Sequence, residues 1–442
     1  VKSYKIALAL LVLLAATGAC AAQDVLPVTD GDVTDATVNG IRILVKRDPG
    51  AELVATGLYI RGGARNWGKA DAGIEALALS VAASGGTQAL DKFAFARRLA
   101  AIGSTIDAST SRNWSSLQGK CLLEKFDETF ALMADVFLRP AMTDAEFELE
   151  RDQTIIDLKR ESEQPEGRLA LLVNDTLYKD QPYENRAQGT VASVSGLGKT
   201  QLLAHLAKLR EGSRLLLVVV GDVDATRVIA LVRANFGALP RGDYRDTPLP
   251  RPQFSSPRLV TEQRSLPTNY LQGWFAVPAV GEPGYAAERV AMNYLQDLLF
   301  REVRTKRNLS YAPGAGVDVS QAGALGLVSV SAVDPTATYR VMLDQLRLLQ
   351  NQPLTPAQLA GSKSTYLTGV MVNTETTDGQ AERLAQWQLY TGDWRLSRSV
   401  LEQVRAVTAE DVQAFAKTYF VHLQTIMLGD PGKLEPALGK EL

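Results

Sequence analysis

Histidine is almost missing from this chain: two residues in 442, His205 and His422. The region from Val1 to Ala204 therefore holds no imidazole, which excludes from it any metal site or acid–base device built on histidine. Cysteine is as scarce, with Cys20 and Cys121 only. A chain that loses its leader keeps one thiol and no internal disulfide, so its core must hold it together; Cys121 reads as a small buried hydrophobe. After the N-terminus no uninterrupted apolar run reaches the ~20 residues of a membrane-spanning helix. No block of like charge stands out either, with 47 Lys and Arg against 49 Asp and Glu. That balance argues against nucleic acid or an anionic membrane surface as partner.

What is present begins with a leader. Lys2 and Lys5 precede an apolar run from Ile6 to Ala16 and then small residues, the three-part pattern of a secretory signal peptide over 1–22. The expectation is an exported chain, placed in a bacterial periplasm and cut near Ala19 to Ala22. Lipid attachment at Cys20 is the competing reading, disfavoured because the preceding Thr-Gly-Ala lacks the usual Leu.

Three internal echoes follow in the same order. Arg97 to Ala108 is matched by Arg304 to Ala315, an offset of 207, and Gly221-Asp222 by Gly429-Asp430, an offset of 208. Pro140 to Phe147 pairs more weakly with Pro353 to Leu359. They imply two homologous halves, 25–245 and 259–442, joined through a Pro-rich, charged stretch whose linker is set at 246–258. Helical patterns alternate with β-rich runs such as Leu53 to Arg61, Leu215 to Val220 and Leu325 to Val333. The expected class is α+β, each half a mainly antiparallel sheet with helices packed on it.

The stretch Thr56-Gly-Leu-Tyr-Ile-Arg-Gly-Gly-Ala-Arg65, then Gly73 to Thr87, Phe95 to Thr110, Pro140, Glu150-Arg151 and Gly189-Thr190 resemble, in order and spacing, the insulinase and pitrilysin family of zinc peptidases, the inverzincins. The resemblance covers essentially the whole chain after the leader and implies a clam-like pair of halves. Active members carry H-x-x-E-H on a helix, two His on one face for Zn²⁺ with a Glu between them to take a proton from water. Here those positions hold Ala76, Leu79 and Ser80, and the farther Glu ligand corresponds to Asp157. The segment 72–84 is then expected to be a helix kept for packing, ended near Gly85-Gly86. His205 and His422 read as ordinary surface or helix-end residues, and metal binding by this chain alone is not expected.

In the second half, Leu271 to Pro278, Tyr285 to Leu299 and Phe300-Arg-Glu-Val-Arg-Thr-Lys-Arg-Asn-Leu-Ser-Tyr311 resemble the same family's C-terminal half. There the phrase L-x-x-x-[IV]-R-E-K-R-G-L-A-Y carries an Arg and, seven residues on, a Tyr, which correspond to Arg304 and Tyr311. Asn308 stands at the Gly of that phrase, and Pro313 follows closely. The resemblance implies that the pair binds substrate and stabilises charge at a zinc site on another polypeptide. From the residues alone, Arg304 reads as one charge of a solvated run and Tyr311 as a strand-start aromatic; the resemblance reverses that reading. The implied function is a non-catalytic subunit of a heterodimeric zinc endopeptidase: it binds no cofactor, its H-x-x-E-H partner carries the zinc, and the substrate is a peptide or small unfolded protein. An inactive peptide-binding or scaffold protein is the alternative. Hydrolysis through Ser80, Ser84 or Ser104 with a distant His is a third idea.

Overall fold

The structure, a computed structural model, describes residues 25–442. The expected signal peptide and Cys20 lie outside the described residues. In chain order the strands are β1 (Val25–Asp30), β2 (Val33–Val38), β3 (Ile41–Arg47), β4 (Leu53–Arg61), β5 (Thr105–Thr110), β6 (Trp114–Leu122), β7 (Leu215–Gly221), β8 (Arg258–Gln263), β9 (Asn269–Val277), β10 (Gly314–Ser320), β11 (Gly323–Ala332) and β12 (Gln424–Gly429). First-half helices are α1 (Ile74–Ser84), α2 (Lys92–Ala101), α3 (Phe126–Leu138), α4 (Asp144–Glu163), α5 (Pro165–Leu177), α6 (Val191–Gly196), α7 (Lys199–Leu209) and α8 (Ala225–Phe236). The second half adds α9 (Tyr285–Leu299), α10 (Pro335–Asn351), α11 (Pro356–Asn373), α12 (Thr377–Thr391), α13 (Leu396–Ala406) and α14 (Ala409–Tyr419).

The duplication is plain in the strand order. The first sheet runs β1-β2-β3-β7-β4-β6-β5 and the second β8-β12-β9-β11-β10. Without the extra β1–β2 hairpin the two orders are the same, and each sheet holds one parallel pair, β3 with β7 and β8 with β12, among antiparallel neighbours. The helices repeat in step: α3-α4-α5-α6-α7 before β7, and α10-α11-α12-α13-α14 before β12. Even the entry to the first long helix repeats. Gly73 (φ 91°) and Gly284 (φ 90°) begin α1 and α9 in the left-handed region, and a Cβ on Gly73 would sit 2.7 Å from the Gln188 carbonyl oxygen.

Strand β7 reads LLLVVVG and is buried throughout. Such a run is stable only when both faces of the sheet are covered. On one face Leu215, Leu217 and Val219 join the core of the first half's own helices. On the other, Leu216, Val218 and Val220 meet Ala381, Leu384 and Ala385 of α12 and the buried Trp394. The covering helix thus comes from the second half. Reciprocally, Leu169, Val173 and Leu177 of α5 cover Trp274, Leu325, Ile426 and Leu428 of the second sheet. The two halves close on each other as a clam-like pair by exchanging one helix each, which the sequence did not announce.

Polar ties reinforce the exchange. Arg168 on α5 donates to Glu262 at 2.9 Å, Trp394 Nε1 to Asp35 at 3.2 Å, and Arg395 to Asp30 at 2.9 Å. Residues 237–257 hold no helix or strand, yet they are not free: Arg61 Nε donates to Asp246 at 3.0 Å and the Arg214 guanidinium lies 3.8 Å from the Tyr244 ring centre. Among the described residues no helix is long and apolar enough to cross a membrane. Cys121 is buried, and burial pushes its thiol up, away from the reactive thiolate.

Because each sheet borrows a helix, denaturation should be a single transition for the whole chain. Trp394→Ala, which empties a fully buried site in that borrowed layer, should cost about 3–5 kcal/mol and move that one transition. A second-half transition that shifts while a first-half transition stays in place would contradict the exchange.

Candidate functional site

Helix α1 spans the segment where a packing helix was expected, and Gly85 ends it. Ala76 and Ser80 lie half-buried on one face, while Leu79 is completely buried in the first-half core. Ser80 Oγ donates to Glu150 of α4 at 2.6 Å, and Ser84 Oγ donates to the same carboxylate at 2.9 Å. Asp157, two turns further along α4, does not join them. Its side chain is 53% exposed and accepts from Gln153 at 3.1 Å and Arg160 at 3.3 Å. A methyl, a core isobutyl and two hydroxyls against one carboxylate do not fit a zinc ion. Among the described residues no group of three or more His, Cys, Asp or Glu could hold a metal.

His205 differs from its reading as a surface or helix-end residue. It sits within α7 with its side chain 16% exposed, and its Nε2 meets the Glu75 carboxylate at 2.9 Å. Glu75, on α1, is 1% exposed and also accepts from Ser115 Oγ; the Trp67 ring stands edge-on to the imidazole at 5.8 Å. A buried carboxylate is tolerable only with such partners. The 130 residues between Glu75 and His205 gave no local spacing by which to pair them; the one signal was a lone Glu in an otherwise apolar helix.

The serines are equally occupied. Ser104 Oγ lies 2.7 Å from Thr129 Oγ1, and Ser80 and Ser84 serve Glu150, so none of the three meets an imidazole. A serine nucleophile needs that contact. Asn113, which opens an Asn-Trp-Ser glycosylation sequon, is buried and accepts from the Gln321 amide at 3.1 Å.

Arg304 and Tyr311 come together at the surface. Helix α9 runs into a π-helical turn, Phe300–Thr305, and Asn308 then adopts φ 51°. Asn is the residue other than Gly that best tolerates this left-handed conformation, so its place at the Gly of the family phrase has a backbone reason. The Asn308 amide donates to Arg304 O at 2.9 Å and the Leu309 amide to Val303 O at 3.0 Å, closing the helix end. The reversal lays Tyr311 back over the turn. The Arg304 guanidinium lies 4.0 Å from the Tyr311 ring centre and 4.8 Å from that of Phe300. Tyr311 is 77% exposed. Strand β10 begins at Gly314, directly after Pro313.

Two family models match the chain: "Insulinase (Peptidase family M16)" over residues 42–191 and "Peptidase M16 inactive domain" over 197–366. Among curated proteins it is 26% identical to an uncharacterized zinc protease of Mycobacterium leprae, over 85% of this chain and 86% of that one. It is 23% identical to the mitochondrial-processing peptidase subunit beta of Saccharomyces cerevisiae, over 87% and 88% of the two chains. Among solved structures, a peptidase M16 inactive domain from Pseudomonas fluorescens superposes with a TM-score of 0.83 at 18% identity, covering 91% of this chain and 99% of that one. A chain of complex III2 from Candida albicans superposes with a TM-score of 0.76 at 17% identity, covering 89% and 95%.

The buried position of Leu79 makes the missing site hard to restore. Leu79→Glu should destabilise the chain by several kcal/mol in denaturant titration, the penalty of an unpaired buried charge. Combined with Ala76→His and Ser80→His, it should still hold less than one zinc per chain after dialysis, because Asp157 faces solvent. One tightly held zinc in that triple variant would refute this account of the helix.

Proposed function

The chain belongs to the insulinase family of peptidases, M16, and from that premise we propose that it is the non-catalytic subunit of a heterodimeric zinc endopeptidase. The observation that carries the reading is the state of Arg304. Its guanidinium rests on two aromatic faces and forms no ion pair among the described residues, so its donors remain available to a ligand from outside the chain. The Tyr311 hydroxyl stands beside it on an exposed ring. A guanidinium and a phenol aimed at a carbonyl oxygen stabilise the negative charge that builds there during hydrolysis.

In this reading an H-x-x-E-H partner holds the zinc, and the substrate is a peptide or small unfolded protein lying extended against a sheet edge. The chain acts after export, in a periplasm. The relatives named as zinc proteases and as a processing-peptidase subunit support the activity class and the use of more than one subunit. The likeness to a chain of complex III2 favours a second reading, a peptidase fold used only for assembly. A pure scaffold has no chemical need of an unpaired Arg stacked on a Tyr.

The purified chain should hold no stoichiometric zinc and cut no peptide. Mixed with an H-x-x-E-H family member from the same organism, it should form a dimer in gel filtration that cleaves a fluorogenic peptide library and stops with chelator. Tyr311→Phe should leave that dimer intact and slow it about a hundredfold, the loss of one donor worth ~3 kcal/mol. An unchanged rate, or hydrolysis by the isolated chain, would overturn the reading.

A further inference from the structure

We infer that Glu302 is a positioning residue for Arg304 and Tyr311, acting as a carboxylate clamp on the other cations of their turn. The inference rests on the reading of that pair given above. Four cations crowd the segment 301–307: Arg301, Arg304, Lys306 and Arg307. Glu302 gathers three of them. One carboxylate oxygen accepts from Lys306 Nζ at 2.8 Å and from Arg301 Nε at 3.3 Å, and the other from Arg307 at 2.8 Å. Arg307 also donates to the Glu302 carbonyl at 2.8 Å, so one side chain straps the end of the π-helical turn to its beginning.

The fourth cation is the one left over. With Arg301, Lys306 and Arg307 held, only Arg304 is free to lie over the Tyr311 ring, at 4.0 Å. Without the clamp, three mobile cations would repel one another and compete for the same two aromatic faces. The family phrase places its Glu directly after the Arg. Here that position is Thr305, whose hydroxyl reaches only the Phe300 carbonyl, at 3.5 Å. The acidic partner of the turn is instead supplied three residues earlier.

The clamp is built for neutral pH. The hydrogen bonds from Lys306 and Arg307 hold the Glu302 carboxyl at about 2, down from its ordinary 4.5. A group with a depressed folded pKa contributes its stabilisation fully above the unfolded value and loses it as pH falls through the folded one. The strap therefore stays closed down to about pH 2, with its full stabilisation present above the ordinary 4.5.

Two variants test this from opposite sides. Glu302→Gln removes the carboxylate charge, and Lys306→Ala with Arg307→Ala removes cations whose side chains are 57% and 44% exposed and so carry little of the fold. In the full chain labelled with ¹⁵N-arginine, the Arg304 Nε–H resonance, assigned by its loss in Arg304→Lys, should carry an upfield ring-current shift. Glu302→Gln should lose that shift and melt at a lower temperature, whereas Lys306→Ala with Arg307→Ala, which removes the competing cations together with their clamp, should keep it. In the assembled dimer Glu302→Gln should lower kcat about tenfold or more, as misplaced catalytic geometry does, with KM nearly unchanged. An Arg304 resonance that stays shifted in Glu302→Gln, or that is lost in Lys306→Ala with Arg307→Ala, would overturn the clamp and leave the reading of the pair standing. A lost shift with a wild-type rate would instead sink the reading of the pair, and the positioning role with it.

Discussion

A sheet whose strands are apolar on both faces cannot stand with one face in water, and here the second face of each sheet is closed by a helix of the other half. Burying a side chain such as Leu216 or Val218 contributes roughly 1.5–3 kcal/mol, and both meet α12 rather than any first-half helix. The same holds for Ile426 and Leu428 against α5. Neither half has a finished core alone. The exchange also fixes the two halves relative to each other, because each borrowed helix is packed on one sheet and tethered by chain to the other.

That constraint explains what α1 has kept. Its buried side carries Leu77, Ala78, Leu79, Val81 and Ala82, a set that the first-half core needs whatever chemistry the outer face performs. Packing constrains the inward side of the helix and leaves the outward side open to other residues. There Ser80 and Ser84 now occupy Glu150, which would otherwise be a carboxylate facing a helix with no donor. At the far end, Glu75 is satisfied by His205 and Ser115. The helix is held by ordinary hydrogen bonds and packing where an active member would hold it by metal ligation as well.

Much of this was legible in the residues. Strand β4 matches its apolar run, Leu53–Arg61, from end to end, and the echoes at offsets of 207 and 208 bring the starts of β5 and β10, and of β7 and β12, within two residues of each other. Period and repetition are local properties, and local patterns survive in sequence. What escaped was every feature made by distant residues. The Glu75–His205 pair spans 130 positions, and the helix exchange depends on which half covers which face, a choice that an amphipathic pattern does not encode. The β1–β2 hairpin was missed too: Leu26 and Val28 are largely exposed, so it leaves little apolar period to read.

The placement of a half-buried Arg304 and an exposed Tyr311 at the surface follows from the same energetics. A guanidinium and a phenol in contact with water have their hydrogen bonds met by solvent, so the isolated chain bears no penalty for presenting them. Their stacking adds only about 0.5–1 kcal/mol at such a site. Covered by a second surface that excludes water, the same groups would interact with a developing negative charge in a medium of far lower dielectric, where each donor counts for several times as much. An unpaired Arg inside a closed chain would be a burden to its own fold, whereas one left at the surface costs nothing until another surface arrives. On the proposed reading, the pair stands where a division of labour between two polypeptides would require it, stable when alone and effective only when enclosed.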